Sequence, residues 1–175
     1  MTLPASPART GVWIGIAAIT MSFAAYTSAL VVRQGAAPDW QHFRLPSILY
    51  LNTLLLLASS GTLEAGRRRS RRGSWLSLTL GLGLLFIAGQ VLAWRDLAAQ
   101  GLFLATNPSS AFFYVFTALH ALHLLGGVVA LGYILGRLHA SAAGPPVAAL
   151  DAVSLYWHFM GVLWLYLLLV LALRV

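Results

Sequence analysis

The stretch from Ala152 to Leu173 reads AVSLYWHFMGVLWLYLLLVLAL, twenty-two residues without an Asp, Glu, Lys or Arg. A helix rising about 1.5 Å per residue needs about 20 such residues to cross roughly 30 Å of bilayer hydrocarbon. The run does not alternate apolar and polar residues as a barrel strand would. Lipid offers no partner for backbone N–H and C=O groups, so a continuous apolar run of this length resolves as a transmembrane helix.

Four more runs of the same kind precede it: Gly11 to Val32, Leu45 to Leu63, Trp75 to Trp94 and Ala111 to Leu135. The connections between them read as water-facing turns, with Pro38-Asp39, the Arg cluster near residue 70, Asn107-Pro108 and Gly144-Pro145-Pro146. The expected fold is all-α: a polytopic membrane protein with a bundle of five transmembrane helices, forming one membrane domain over residues 1–175. Composition agrees. At 59% hydrophobic and 9% charged residues, with a mean hydropathy of +0.82, the chain has too little polar surface to cover a globule in water. The run from Gly11 is too long for a signal-peptide core and lacks a convincing cleavage site, so it reads as the first span.

The formal charge of +7 comes from eleven Arg and no Lys. Five of them, Arg67, Arg68, Arg69, Arg71 and Arg72, crowd one short connection. That placement fits a cytoplasmic loop obeying the positive-inside rule, in contact with anionic lipid headgroups or a partner, better than a nucleic-acid patch. With five spans, the N-terminus is then cytoplasmic and the C-terminus periplasmic. The chain has no Cys, which excludes disulfides, thiolate metal sites and Cys nucleophiles.

All four acids, Asp39, Glu64, Asp96 and Asp151, lie at or beyond span ends, and no Arg lies within a span. A proton pump or ion exchanger usually keeps an ionisable carboxylate or base at depth. The polar groups at depth here are instead Asn52, Gln90, His120, His123 and His158, with several Ser and Thr. His120 and His123 share one helix face. Two readings are open. One of these His, paired with His158, could ligate a heme in a small cytochrome b. Alternatively, all five residues form a structural polar network between helices. Depth favours the second reading, because His123 lies roughly 18 Å and His158 roughly 9 Å from the inner helix ends, whereas one iron needs ligands at similar depth. Gly11 and Gly15, Gly132 and Gly136, and the patch Ala58 to Gly61 would let helix backbones approach closely. Trp40, Tyr50, Trp75 and Trp94 sit near span ends as interfacial anchors.

Three motifs carry a family resemblance. Residues 156–164, YWHFMGVLW, resemble the last-helix signature Y-W-H-F-V-D-V-V-W of cytochrome c oxidase subunit III. Residues 112–123, FFYVFTALHALH, are similar to that family's F-Y-x-x-T-G-x-H-G-L-H, and Leu51-Asn52-Thr53 with Leu57 to Thr62 match L-N-T-x-x-L-L-x-S-S. The motifs come in the family's order and span most of the chain. Full-length members have seven helices, and this chain resembles the last five, like the five-helix forms in bacterial oxidases.

The resemblance implies an accessory, noncatalytic subunit of a heme-copper terminal oxidase in the bacterial inner membrane, packed against subunit I. Its expected partners are subunits I and II, a small subunit IV and phospholipids. No cofactor is expected in this chain, the hemes and copper belonging to the partner subunits. The accessory membrane subunit of a nitric oxide reductase shares the expected fold and is the alternative. Three departures stand out: Ile19, Ala93 and Gly161 occupy positions where the family carries Glu, Glu and Asp. The proton-supply assistance those acids imply is not carried over.

Overall fold

The computed structural model of the protein describes residues 7–36, 39–68, 72–140 and 147–175. They form five α-helices and no strand: α1 (Pro7–Ala36), α2 (Ile48–Arg68), α3 (Arg72–Ala99), α4 (Pro108–Ala140) and α5 (Val147–Arg174). Each contains a window long and apolar enough to cross a membrane, with mean hydropathy from 1.3 to 2.0. The helices overrun the apolar runs. At 30 residues α1 is about 45 Å long, half as much again as the hydrocarbon it crosses.

Local chemistry sets the helix ends. The second apolar run begins at Leu45, but α2 begins only at Ile48, because Pro46 disfavours a helical conformation at the residue before it. Asn107 caps α4: its side-chain oxygen accepts the Ser110 N–H at 2.8 Å, and the Ser110 hydroxyl faces the Asn107 N–H at 3.4 Å. Pro108 then occupies the first helical position, where a missing N–H costs nothing. The end of α3 closes on Gly101, at φ +78. There the Gly101 N–H reaches the Ala98 carbonyl and the Leu102 N–H the Leu97 carbonyl, a Schellman closure that requires the left-handed conformation glycine adopts freely.

Helices α2, α3, α4 and α5 form a closed ring in which each packs on the next and α5 returns to α2; α1 packs outside it against α4 and α5. Among the described residues of α1, the buried hydrophobics are Ile16, Ile19, Phe23 and Leu30, so most of that helix faces outward. At one end residues 39–47, ahead of α2, pack against the end of α5. The Phe43 N–H donates to the Val175 carbonyl at 2.9 Å and the Trp40 indole to the Arg174 carbonyl at 3.0 Å.

One side chain sits where all four ring helices meet. Trp157 of α5 is 1% exposed. Its indole lies against Gly83 of α3 and Gly127 of α4 and donates to the Ser59 hydroxyl of α2 at 3.0 Å. Both glycines are used for close approach, since a Cβ at Gly83 would stand 2.7 Å from the indole edge.

Candidate functional site

Two polar regions stand out: a layer inside the ring and an ionic cleft at one end. The interior layer gathers Asn52, Gln90 and His120, all fully buried. Asn52 on α2 is seated against Gly89 of α3, where a Cβ would collide with its amide. His120 on α4 reaches α5 through Nε2, 3.1 Å from the Met160 carbonyl. It lies between the rings of Phe86 and Trp164, with centroids 5.6 and 5.1 Å away.

The other two histidines lie elsewhere. His123 turns its Nδ1 to the Leu119 carbonyl of its own helix at 2.7 Å and faces Phe23 of α1. His158 lines the ionic cleft with Arg9 and Arg67. Three of the five polar residues singled out in the sequence therefore share a layer. Among the described residues, no hydrogen bond joins any two of the five.

The hydrogen bonds that do cross between helices run mostly through indoles and hydroxyls. Besides Trp157 to Ser59, Trp164 donates to Thr53 at 3.0 Å, Trp94 to Thr117 at 2.9 Å, and the Thr62 and Thr79 hydroxyls hydrogen-bond to each other at 2.8 Å. Tyr156 donates to the His123 carbonyl at 2.8 Å. The signal for these pairs was present in the sequence. A buried indole N–H in lipid must find an acceptor, and Ser and Thr hydroxyls on neighbouring helices are among the few available.

At the end where α2 stops and α5 starts, Arg67 binds Asp151 at 2.6 Å and Glu64 at 3.3 Å, and Arg68 binds Glu64 at 2.6 Å. Arg9, Arg67, Asp151, Ser154 and His158 line an open cleft of about 340 Å³. Arg69 and Arg71 lie outside the described residues. Arg67 and Asp151 remain 34% and 45% exposed, so solvent weakens their attraction. Asp151→Asn is accordingly expected to lower bundle stability by less than about 1 kcal/mol in a denaturant titration of the chain in detergent. A larger loss would mean the pair pins α2 to α5.

The three positions where the resemblance expects acids are Ile19, Ala93 and Gly161. Ala93 is fully buried and Ile19 is in the core, and a Cβ at Gly161 would stand 3.5 Å from the Ser60 hydroxyl. Among the described residues, no group of three or more His, Asp or Glu is placed to hold a metal ion. Nor do His120 and His158 converge: one binds the Met160 carbonyl in the core, the other lines the end cleft.

A ring of four apolar helices with a fifth packed outside it, all of membrane-crossing length, defines a multi-pass α-helical membrane protein. Residues 16–173 match the family model for Cytochrome c oxidase subunit III. The chain is 35% identical to the probable cytochrome c oxidase subunit 3 of Mycobacterium leprae (strain TN) over 159 residues, 85% of this chain and 77% of that protein. It is 34% identical to the probable cytochrome c oxidase subunit 3 of Mycobacterium tuberculosis (strain H37Rv) over 126 residues, 68% of this chain and 62% of that protein. With the cytochrome c oxidase subunit 3 of Synechocystis sp. it shares 27% identity over 90% of this chain. The chain belongs to the cytochrome c oxidase subunit III family. It spans about 62% of the length of the Mycobacterium tuberculosis relative.

Proposed function

We propose that this chain is an accessory, noncatalytic third subunit of a heme-copper terminal oxidase, stabilising subunit I. The observation that carries this reading is the family match across residues 16–173, which takes in all or most of every helix. The interior supports it. The polar side chains buried within the ring are neutral or bonded to backbone, and the chain has no carboxylate at depth with which to move protons itself. In this reading subunits I and II, with a small subunit IV, are the partners, and oxygen reduction with proton translocation is the reaction of the complex. A tagged chain purified in mild detergent is expected to bring down a heme-bearing and a copper-bearing subunit. Recovery with the subunits of a nitric oxide reductase, or alone from membranes that hold an intact oxidase, would overturn the assignment.

The orientation we propose places the N-terminus in the cytoplasm and the C-terminus in the periplasm of a bacterial inner membrane. Charge supports it. The end that holds the start of α1 carries seven Arg (Arg9, the five of Arg67 to Arg72, and Arg137) against Glu64 and Asp151. The opposite end carries Arg33, Arg44, Arg95 and Arg174 against Asp39 and Asp96. The Arg-rich end would then meet the anionic headgroups of the inner leaflet. Fusions of a periplasm-dependent reporter are expected to be silent at Gly73 and active at Gln100. The reverse pattern would invert the topology.

A further inference from the structure

The buried side-chain atoms that find no hydrogen-bond partner in the protein are, among the described residues, both polar atoms of Asn52, both of Gln90, and Nδ1 of His120. They are not scattered. Asn52 is seated against Gly89, and Gln90 follows Gly89 and stands one turn beyond Phe86 on α3. The Phe86 ring lies 5.6 Å from His120 of α4 and 4.8 Å from Trp164 of α5. Trp164 in turn donates to Thr53, the neighbour of Asn52 on α2. The circuit closes through all four ring helices at one level of the bundle.

The chemistry of the three side chains is complementary to a single kind of ligand. A carbonyl only accepts, so His120 Nε2, facing the Met160 carbonyl, carries the proton, and in the neutral ring Nδ1 presents a lone pair that needs a donor. The two amides offer N–H donors and carbonyl acceptors of their own. In an apolar interior such groups are costly to leave unmade. A direct bond between the two amides would use one donor and one acceptor and leave the His120 lone pair unserved. A water molecule donates twice and accepts twice, and so can bond an amide oxygen, an amide N–H and Nδ1 together.

We propose that Asn52, Gln90 and His120 form a binding site for internal water in the middle of the helix ring. The inference rests on the fold alone and is independent of the complex the chain joins. Two indoles provide the test. Trp164 borders the site and Trp157 does not, yet each is 1% exposed and each donates to a hydroxyl.

Radiolytic hydroxyl labelling of the full chain in lipid nanodiscs, read residue by residue by mass spectrometry, modifies buried rings only where bound water generates the radical beside them. Trp164 is expected to label several-fold faster than Trp157. In the double variant Asn52→Leu, Gln90→Leu the two rates should become equal. Equal rates in the unaltered chain would overturn the proposal, and that comparison needs no variant to fold. A fast Trp164 that persists in a folded double variant would also overturn it.

Discussion

Trp157→Ala is expected to be the most damaging single substitution in the bundle, costing about 3 kcal/mol, the low end of what removing a buried Trp costs in soluble cores. The low end is chosen for a physical reason. Lipid is as apolar as the bundle interior, so little transfer free energy is lost, whereas the contacts of a ring wedged among four helices vanish outright. That ring touches Gly83, Gly127 and Ser59, so the cavity opens where α2, α3, α4 and α5 all meet. The lost hydrogen bond is the smaller part, at about 0.6 kcal/mol on average in membrane bundles. Ser59 also keeps its own bond to the Leu56 carbonyl at 2.8 Å. Trp157→Phe separates the two contributions, since it keeps much of the ring volume and drops the N–H. Unfolding in a denaturing-detergent titration should place it much nearer the unaltered chain than Trp157→Ala, and equal losses for the two variants would show that the hydrogen bond, not packing, holds the junction.

Gly89→Ala has the next largest expected effect, and its sign distinguishes two physical accounts. By helix propensity alone, Gly to Ala inside a helix stabilises by about 1 kcal/mol. The Asn52 amide, however, occupies the place the new Cβ would take, and Asn52 is fully buried with packed neighbours. Overpacking of this kind costs about 1–3 kcal/mol, so the net effect is a loss. Gly81, on the same helix, has open space where its Cβ would go, and Gly81→Ala should be neutral or stabilising. Adding Asn52→Ala to Gly89→Ala should recover part of the loss, because the two side chains compete for one volume and their effects are not additive. A stabilising Gly89→Ala would mean that α2 and α3 are not held as closely as the fold requires.

The fold class was legible because the reason for it is local. Each apolar run had to be helical to pair its own backbone in lipid, and each of the five lies largely within one helix. Helix ends were less legible: Asn107-Pro108 reads as a turn although α4 starts at Pro108, and the apolar run from Leu45 starts ahead of α2, which Pro46 delays to Ile48. Of the polar residues singled out, Asn52, Gln90 and His120 lie in one layer, while His123 and His158 face other surroundings. The i,i+3 spacing of His120 and His123 shows that they share a helix face. It does not say that α5 covers one of them and α1 flanks the other.

The amino-acid sequence by itself determined that this protein crosses the membrane as five helices, and through three short motifs it pointed to a family. Only the tertiary structure decided which faces meet. In water, hydrophobic periodicity marks the buried side of a helix, but in a bilayer an exposed leucine and a buried one are in equally apolar surroundings and the signal disappears. Burial then follows from shape: glycines at 83, 89 and 127 that admit Trp157, Asn52 and Tyr156, and indoles placed opposite hydroxyls. Those are relations between helices, and none exists until the chain has packed.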